Sequence, residues 1–218
     1  MTTKSSKKFP KSGIIKNSGT FSRDLLSKVV EGGMQDISRD LLMQASKGDM
    51  QAFEEIYRLA SSFVYSVALR IISNADEAKE VTQDVFIKIY NNLRRFRFRS
   101  SFKTWVYRIT ANTALNALKK NSKEMSRRAA DYDVALKAKD DRATTTQAIE
   151  MDDNKKLLSS LLDMLNPDQR ACIVLREIEG LDYKEISRAL GININTVRSR
   201  LKRAREALLA HGKRGDRP

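Results

Sequence analysis

The sequence has almost none of the side chains that build disulfides and N/S metal centres. It contains one cysteine, Cys172, and one histidine, His211. A lone cysteine has no partner for an intramolecular disulfide, and the two residues together fall short of the ligands that a structural zinc site needs. Cys172 lies in the apolar run ACIVL, which favours a buried thiol, whereas His211 lies in a basic polar tail. We expect no disulfide framework and no metal site.

Long apolar runs and the short motifs of enzymes are missing as well. No uninterrupted apolar stretch reaches the ~18 residues of a membrane span. No apolar segment follows the basic N-terminus MTTKSSKKFPKSG, as it would in a secretory signal. The sequence carries no Walker loop, Gly-rich dinucleotide turn or Ser/His/Asp arrangement. We therefore expect a cytoplasmic protein that has no membrane insertion, no catalytic residues and no cofactor.

Positive charge is abundant instead. The chain holds 41 Lys and Arg against 27 Asp and Glu, a formal net charge of +14. An excess of this size attracts polyanions, nucleic acid first and anionic membrane surface second. An acidic protein partner is a further alternative, and a strong loss of DNA binding with rising salt would argue against it.

The stretch RRFRFRSSF, Arg94–Phe102, concentrates this charge around aromatic rings. No carboxylate occurs between Asp84 and Glu124. Unpaired bases bind to aromatic faces within basic grooves, and this stretch supplies the rings together with arginines that suit phosphate. Its period of two also fits the edge of a strand, with Phe96 and Phe98 packed beneath the helices. We expect one of these two rings to face inward.

Hydrophobic periodicity predicts an all-α protein with two small helical domains joined by a flexible linker, the second domain being a helix-turn-helix. Most of the apolar residues recur at the spacing of one helix face, and strand signals are weak throughout. The expected segments are a flexible basic arm at 1–35 with a short helix near Phe21–Val30, a helical domain at 36–120, a solvated linker at 121–150, a helix-turn-helix domain at 151–212 and a tail at 213–218.

Several helix starts carry recognisable caps. A Ser, Asp or Asn side chain just before a predicted helix accepts hydrogen bonds from the first backbone amides of that helix. A Glu three residues later completes a capping box. These signals occur at Ser38, Asp49, Asn74, Asn166 before Pro167, and Asp182 with Glu185. The helix that begins at Asp49 is predicted to turn Tyr57 inward. A further helix is predicted from about Ser101 to Lys120.

The stretch LDYKEISRALGININTVRSRLKRAREALL predicts the helix-turn-helix itself. Gly191 marks the turn, and Val197, Leu201, Ala204 and Leu208 form one apolar stripe of the second helix. Such a helix enters the major groove, where Arg pairs with guanine. A basic, solvated last helix of an ordinary bundle is the alternative.

The polar side of this second helix is strongly basic. Ser199 and Lys202 point away from the apolar stripe, and Arg198 and Arg203 flank them. Arg200 and Arg205 point less directly outward than these four residues. They lie closer to the domain's own surface, in positions better suited to contact DNA phosphates.

Three of these stretches resemble the extracytoplasmic-function (ECF) group of bacterial sigma factors, which direct RNA polymerase to promoters. DEAKEVTQDVFIKIY, Asp76–Tyr90, is similar to the family's helix that docks on core polymerase. FKTWVYRITANTALN, Phe102–Asn116, is similar to the helix that opens and reads the −10 element. The helix-turn-helix is similar to the module that reads the −35 element. The resemblance covers about residues 36–120 and 150–210. It implies core RNA polymerase, promoter DNA and an anti-sigma factor as partners.

The resemblance also implies a site for the unpaired −10 strand. The residues that match it, or that belong to its loop, are Lys88, Phe96, Arg97, Phe98, Arg99, Trp105, Arg108, Asn112 and Asn116. Asn112 is a poor helix former in mid-helix, which favours a function, whereas Trp105 equally fits a core anchor. The family's loop often carries a glycine and an acid where this chain has Phe98 and Arg99, so the details of the pocket differ.

Two further surfaces follow from the resemblance. The −35 readers are Thr196, Arg198, Ser199, Arg200, Lys202 and Arg203. The polymerase-facing residues are Gln83, Asp84, Ile87 and Lys88. A solvated helix face is the alternative for the second set. A stand-alone regulator that never docks on polymerase is the alternative for the whole chain, but it leaves the motif at Asp76–Tyr90 unexplained.

Overall fold

The computed structural model describes residues 15, 16, 18–22, 26, 34, 36–131 and 153–215. Within them the chain is α-helical, and the β pairing consists of one isolated antiparallel bridge between Ile15 and Phe21. The helices with described bounds in the first half are α1 Arg39–Ser46, α2 Met50–Ile72, α3 Ala75–Leu93 and α4 Phe102–Asp131. The second half contains α5 Asp153–Asp163, α6 Pro167–Ile173, a π-helical turn Val174–Ile178, α7 Tyr183–Leu190 and α8 Ile194–Gly215. The all-α prediction is confirmed.

The predicted caps form the expected hydrogen bonds. The Asn74 side chain accepts from the amides of Asp76 and Glu77 at 3.0 and 3.1 Å. Asp182 and Glu185 form the reciprocal capping box, with distances of 2.7 and 2.8 Å. These bonds satisfy amides that have no partner within their own helix, so local sequence sets where α3 and α7 begin.

Helix α4 is longer than the sequence predicted. Its expected end lay near Lys120, but the helix continues to Asp131, eleven residues into the proposed linker. An i,i+4 ion pair joins Lys120 to Glu124 at 3.8 Å. Beyond residue 120 apolar residues no longer recur at helical spacing. The helix continues there without a buried face, so the change in pattern marks where it leaves the core and not where it ends. Residues 132–150 of the linker lie outside the described residues, and α8 likewise runs to Gly215, past the predicted start of the tail.

Helix α2 supplies the centre of the first core. Ile56, Val64 and Val67 on this helix are fully buried. Tyr57 was predicted to face inward, but 46% of it is exposed, and its ring lies 4.6 Å from that of Phe86. Ile56 and Tyr57 are successive residues, separated by about 100° around the helix, so they cannot both occupy the centre of one buried face.

The helix-turn-helix has the predicted internal geometry. Gly191 ends α7 with a left-handed φ of +65°, a conformation that costs glycine little. Val197, Leu201, Ala204 and Leu208 have no exposed surface, which confirms the apolar stripe. Cys172 is buried as expected, and burial raises the pKa of its thiol to about 11.

The two halves are joined by a buried ionic contact. Glu179 follows the π-helical turn, and its amide donates to the carbonyl of Val174 at 3.0 Å. Its carboxylate accepts from Arg70 of α2 at 3.0 Å and from the hydroxyl of Tyr107 of α4 at 2.5 Å. The side chains of Arg70 and Glu179 are only 14% and 7% exposed. Burial and the adjacent Glu179 carboxylate raise the pKa of Tyr107 above its usual range, so the phenol remains a donor.

A second polar contact lies beside it. Arg170 of α6 donates to the Ser73 hydroxyl at 2.6 Å and to the carbonyl of Ile71 at 3.3 Å, both at the end of α2. Helix α7 packs along α4 nearby. The linker was predicted to be flexible, and the two halves that it joins are in contact in this structure.

We expect Glu179→Gln to loosen this contact, because it removes the charge opposite a largely buried Arg70 while keeping the side-chain shape. The loss should be about 1–3 kcal/mol, the usual range for a buried polar group that loses its partner. Small-angle scattering should show a larger radius of gyration, and amides of α7 should exchange faster. Glu55→Gln is the matched control, because Glu55 pairs with Arg58 on the exposed surface. If the two variants gave the same scattering profile and the same amide exchange rates, the role of Glu179 would be contradicted.

Candidate nucleic-acid interface

The rings of the arginine-rich loop and the start of α4 form one aromatic cluster. The Phe96 ring lies 5.0 Å from that of Trp105, 5.8 Å from Phe102 and 4.9 Å from Phe98. Phe96 is partly buried within this cluster, and its amide donates to the carbonyl of Leu93. Phe96, one of the predicted −10 residues, therefore packs within the aromatic cluster. The strand-edge alternative is not observed, because this stretch forms turns and bends.

Phe98 is the more exposed ring. Its exposed fraction is 39%, and its backbone is left-handed with a φ of +54°. The guanidinium of Arg39 lies over the ring, 4.7 Å from its centroid. The prediction that one of the two rings faces inward holds, and the inward ring is Phe96.

A groove between α3 and α4 collects most of the predicted −10 residues. Its volume is about 380 Å³. Its lining contains five of the predicted residues: Lys88, Trp105, Arg108, Asn112 and Asn116. They come from two helices, and packing brings them to one concave surface. The lining also contains four residues that the sequence analysis missed: Asn92, Arg95, Ile109 and Thr113. The spacing could have identified Asn92, which follows Lys88 by four residues on the same face.

The chemistry of this groove suits a nucleic acid strand. Lys88 donates to the Thr113 hydroxyl at 2.9 Å, which orients its ammonium at the wall. Arg95 and Arg108 are exposed, and Asn116 leaves an amide free to donate and accept. Trp105 is half-buried, so it both packs on the cluster and lines the groove. Among the described residues, Arg95 and Arg108 form no ion pair. Their charge is therefore available to phosphate.

Asn112 is engaged by the other half of the molecule. Its amide nitrogen donates to the carbonyl of Arg108 and to that of Ala189, both at 2.8 Å. Ala189 lies in the last turn of α7, where carbonyls have no partner within their own helix. Both donors of the Asn112 amide are therefore in use while α7 rests on α4.

On α8 the predicted readers divide into two groups. Arg198, Ser199, Lys202 and Arg203 are exposed, and Thr196 is half-buried. Both arginines expected to contact phosphate form ion pairs within the protein, and Arg205 pairs with Glu177 at 2.7 Å. Arg200 is 24% exposed and pairs with Asp168 at 2.9 Å.

The predicted polymerase-facing side of α3 is a solvent-exposed surface with an apolar centre. Gln83, Asp84 and Lys88 are exposed, and Ile87 is 58% exposed. Tyr90, 44% exposed, extends this surface toward the Phe53 ring at 5.0 Å. Exposed apolar surface rimmed by charge is typical of protein interaction sites.

Comparison with protein families matches both halves of the chain. Residues 56–124 match "Sigma-70 region 2", and residues 155–208 match "Sigma-70, region 4". The RNA polymerase sigma-H factor of Pseudomonas aeruginosa is 33% identical over 183 residues, which cover 80% of this chain and 93% of that protein. The ECF RNA polymerase sigma-E factor of Escherichia coli K12 is 36% identical over 177 residues, 77% of this chain and 90% of that protein.

The chain belongs to the ECF RNA polymerase sigma factors. A sigma factor binds core RNA polymerase and promoter DNA, so the function inferred from the resemblance is confirmed at that level. Among solved structures, RpoE from Bartonella quintana, in complex with the anti-sigma factor NepR, has a TM-score of 0.54 and 26% identity. The match covers 77% of this chain and 99% of that one.

CnrH, in complex with the cytosolic domain of CnrY, has a TM-score of 0.57 over 84% of this chain and 100% of that chain. At 24% identity this likeness supports the fold.

Among the helices of the described ranges, none combines the length and the apolar character that crossing a membrane requires.

The two rings of the loop should respond differently to truncation. Phe96→Ala removes a partly buried ring from the aromatic cluster and should lower the free energy of unfolding by ~1–3 kcal/mol. Phe98→Ala should change it by less than about 0.5 kcal/mol, the usual range for surface positions. Thermal and urea unfolding followed by circular dichroism would measure both. A larger loss for Phe98→Ala than for Phe96→Ala would show that the cluster does not hold the loop.

Proposed function

We propose that this sigma factor captures the −10 strand in the groove between α3 and α4 and reads the −35 duplex with α8. The observation that carries the proposal is the convergence of Lys88, Trp105, Arg108, Asn112 and Asn116 on one groove. Stacking on an aromatic ring contributes ~1–3 kcal/mol per base, and extruding a base from the duplex costs a few kcal/mol. One or two such contacts together with phosphate neutralisation suffice to hold an opened base.

Two loop residues extend this site. Arg97 and Arg99 are exposed beside Phe98, and in our proposal they hold phosphates of the displaced strand. Phe98 is the ring of this loop that is free to contact a base, while Phe96 supports Trp105 from below. Asn112 joins the site only after its bond to Ala189 opens, so the proposal requires α7 to leave α4 when the factor binds a promoter.

The groove can be tested by Asn116→Ala. Asn116 is exposed, so its removal should leave the fold intact. We expect closed complexes to form normally and promoter opening to fall by ~10-fold, the equivalent of about 1.4 kcal/mol. A template with mismatched −10 bases removes the unpairing cost and should restore part of the rate.

Asn91→Ala is the matched control for this experiment. Asn91 is exposed on α3 and lies outside the groove. Permanganate footprinting of the −10 region would report opening for both variants. Normal opening with Asn116→Ala would remove the groove from the proposal.

The proposal assigns base readout on α8 to its exposed basic side. Arg198→Ala should cost ~1–3 kcal/mol on the preferred −35 sequence and relax the preference at one base pair. Arg200→Ala should leave that preference unchanged, because Arg200 pairs with Asp168. In vitro transcription from a promoter library would rank the sequences for each variant. An unchanged ranking with Arg198→Ala would mean that α8 is oriented differently in the groove.

We further propose that Gln83, Asp84, Ile87 and Lys88 contact core polymerase. Asp84→Lys combined with Ile87→Ala should weaken co-purification with core enzyme while the helical content stays unchanged. Glu124→Lys combined with Met125→Ala is the matched control, because Met125 is also 58% exposed and the charge change is the same. Undiminished co-purification of the α3 variant would refute this surface.

The factor acts in the cytoplasm in this proposal, and polymerase performs the chemistry, so no residue of this chain is catalytic. An anti-sigma factor is proposed on the likeness to the RpoE of the NepR complex alone. If one exists, the factor isolated from its own cells should carry a stoichiometric partner in the fraction that lacks polymerase. Recovery of the factor only in its free and polymerase-bound forms would argue against an anti-sigma factor.

A further inference from the structure

A second groove lies between the two halves of the molecule. Its volume is about 580 Å³, and it is lined by the later turns of α4, the start of α6 and two arginines of α8. Small-molecule sites in proteins commonly have volumes of ~300–1,000 Å³. Apart from Arg200 and Arg203, the lining contains none of the predicted site residues, and it shares no residue with the −10 groove. The two grooves are therefore separate candidate sites.

Positive charge from both halves converges on this second groove. Lys119 and Lys123 lie one turn apart on the same face of α4, and both are exposed. Arg203 of α8 lines the same groove and is exposed as well. Within the described ranges, none of these three side chains forms an ion pair. The acidic residue of the lining, Asp168, is paired with Arg200 at 2.9 Å. The groove therefore offers cations to an anion without competition from its own carboxylate.

An apolar wall accompanies this charge. Leu115, 6% exposed, and the half-buried Leu118 belong to the lining. Gln169 adds a side-chain amide that can both donate and accept. Lysine and arginine form strong, charge-assisted hydrogen bonds to phosphate oxygens, while the leucines suit a flat or apolar group attached to the phosphates. The lining thus fits a small ligand that carries several phosphate groups.

The N-terminal hairpin, which the sequence analysis missed within its segment 1–35, does not fill this groove. Ile15 and Phe21 pair as an antiparallel bridge, and Gly19 between them has a left-handed φ of +73°. A Cβ built on Gly19 would lie 2.6 Å from the Cβ of Arg205, so only glycine fits against α8 there. Arg205 follows Arg203 by two residues, about 200° around the helix. The hairpin therefore rests on a different side of α8 from the groove.

The groove exists only while the two halves are in contact, because α4 supplies one wall and α6 with α8 the other. Helices α6 and α7 both pack on α8, so these three helices move together. Promoter binding, in the function proposed above, requires α7 to leave α4, and this movement dismantles the groove. A phosphate of promoter DNA is therefore an unsuitable occupant, whereas a small free ligand can enter while the halves are closed.

We propose that this groove binds a small polyphosphate, either a nucleoside polyphosphate or an inorganic phosphate chain, and that the bound ligand holds the two halves together. A ligand that binds the closed form alone shifts the population toward that form. It also occupies Arg203, one of the residues assigned to the −35 duplex. The ligand is therefore an inhibitor of promoter opening. Binding rests on the groove alone, and the inhibition rests on the proposed function.

Isothermal titration calorimetry of the full-length chain tests the binding, with tripolyphosphate and ATP as the two probes. Lys119→Gln with Lys123→Gln should weaken the affinity by at least ~10-fold, because two charge-assisted contacts to phosphate are lost. Lys120→Gln with Arg127→Gln is the matched control, because it removes the same charge from exposed positions of α4 outside the lining. Tighter binding of ATP would assign the site to nucleotides, and equal binding would assign it to the phosphate chain.

Two results of this titration would overturn the proposal. One is that neither probe binds, and the other is that the control variant loses as much affinity as the Lys119/Lys123 variant, which would indicate attraction by net charge alone. A lower salt slope of duplex binding in the Lys119/Lys123 variant, with no binding of either probe, would give these lysines to the DNA backbone instead.

A second measurement tests whether the ligand requires both halves. Glu179→Gln loosens their contact from outside the lining, so it should weaken tripolyphosphate binding several-fold. Saturating tripolyphosphate should in turn lower the radius of gyration of this variant. Tyr107→Phe removes only the hydroxyl bond to Glu179 and should act in the same direction with a smaller effect. Unchanged affinity in both variants would show that the ligand does not hold the halves together.

Promoter opening with core polymerase separates failure of this inference from failure of the proposed function. With Mg²⁺ in excess, tripolyphosphate should slow opening by the parent chain and have a smaller effect on the Lys119/Lys123 variant. If Asn116→Ala impairs opening as expected but neither probe binds, the ligand site alone is wrong. If the probes bind as expected but Asn116→Ala opens promoters normally, the −10 groove is wrong and the ligand site stands.

Discussion

The carboxylate of Glu179 is the contact on which the arrangement of the two halves depends. It is nearly buried, and it accepts from Arg70 of α2 and Tyr107 of α4. A buried carboxylate without partners would cost several kcal/mol, so its position relative to both helices is tightly constrained. Glu179 directly follows the π-helical turn Val174–Ile178, and its amide donates to the carbonyl of Val174. Helix α7 begins four residues later and packs along α4.

That arrangement bears directly on DNA recognition. With α7 against α4, the amide of Asn112 is bonded to Ala189, while Arg108 and Asn116 remain exposed. Among the described residues, the polar contacts between the halves include the Asn112–Ala189 bond, the Glu179 cluster and the bonds of Arg170 to the end of α2. The two surfaces that we propose to read the −10 strand and the −35 duplex belong to different halves. In this proposal the distance between them depends on the contact between α7 and α4.

Much of the fold follows from local chemistry. The caps at Asn74 and Asp182 lie where the sequence predicts them, because a cap involves residues two or three positions apart. The stripe from Val197 to Leu208 is likewise periodic, and periodicity reports which face of a helix is buried. The groove residues Lys88 and Asn116 required the resemblance to a family, since nothing in their own neighbourhood shows that α3 and α4 bring them together.

The amino-acid sequence by itself determined the helices, their starts, the helix-turn-helix and the basic character of its exposed side, because these depend on neighbours along the chain. Tertiary structure alone decided that Phe96 packs while Phe98 is exposed, that Arg200 pairs with Asp168, and that Gly19 lies against Arg205. Each of these depends on a partner distant in sequence or on the direction of the backbone. Charge and hydrophobicity at one position do not specify which of several chemically suitable partners the folded chain brings within reach.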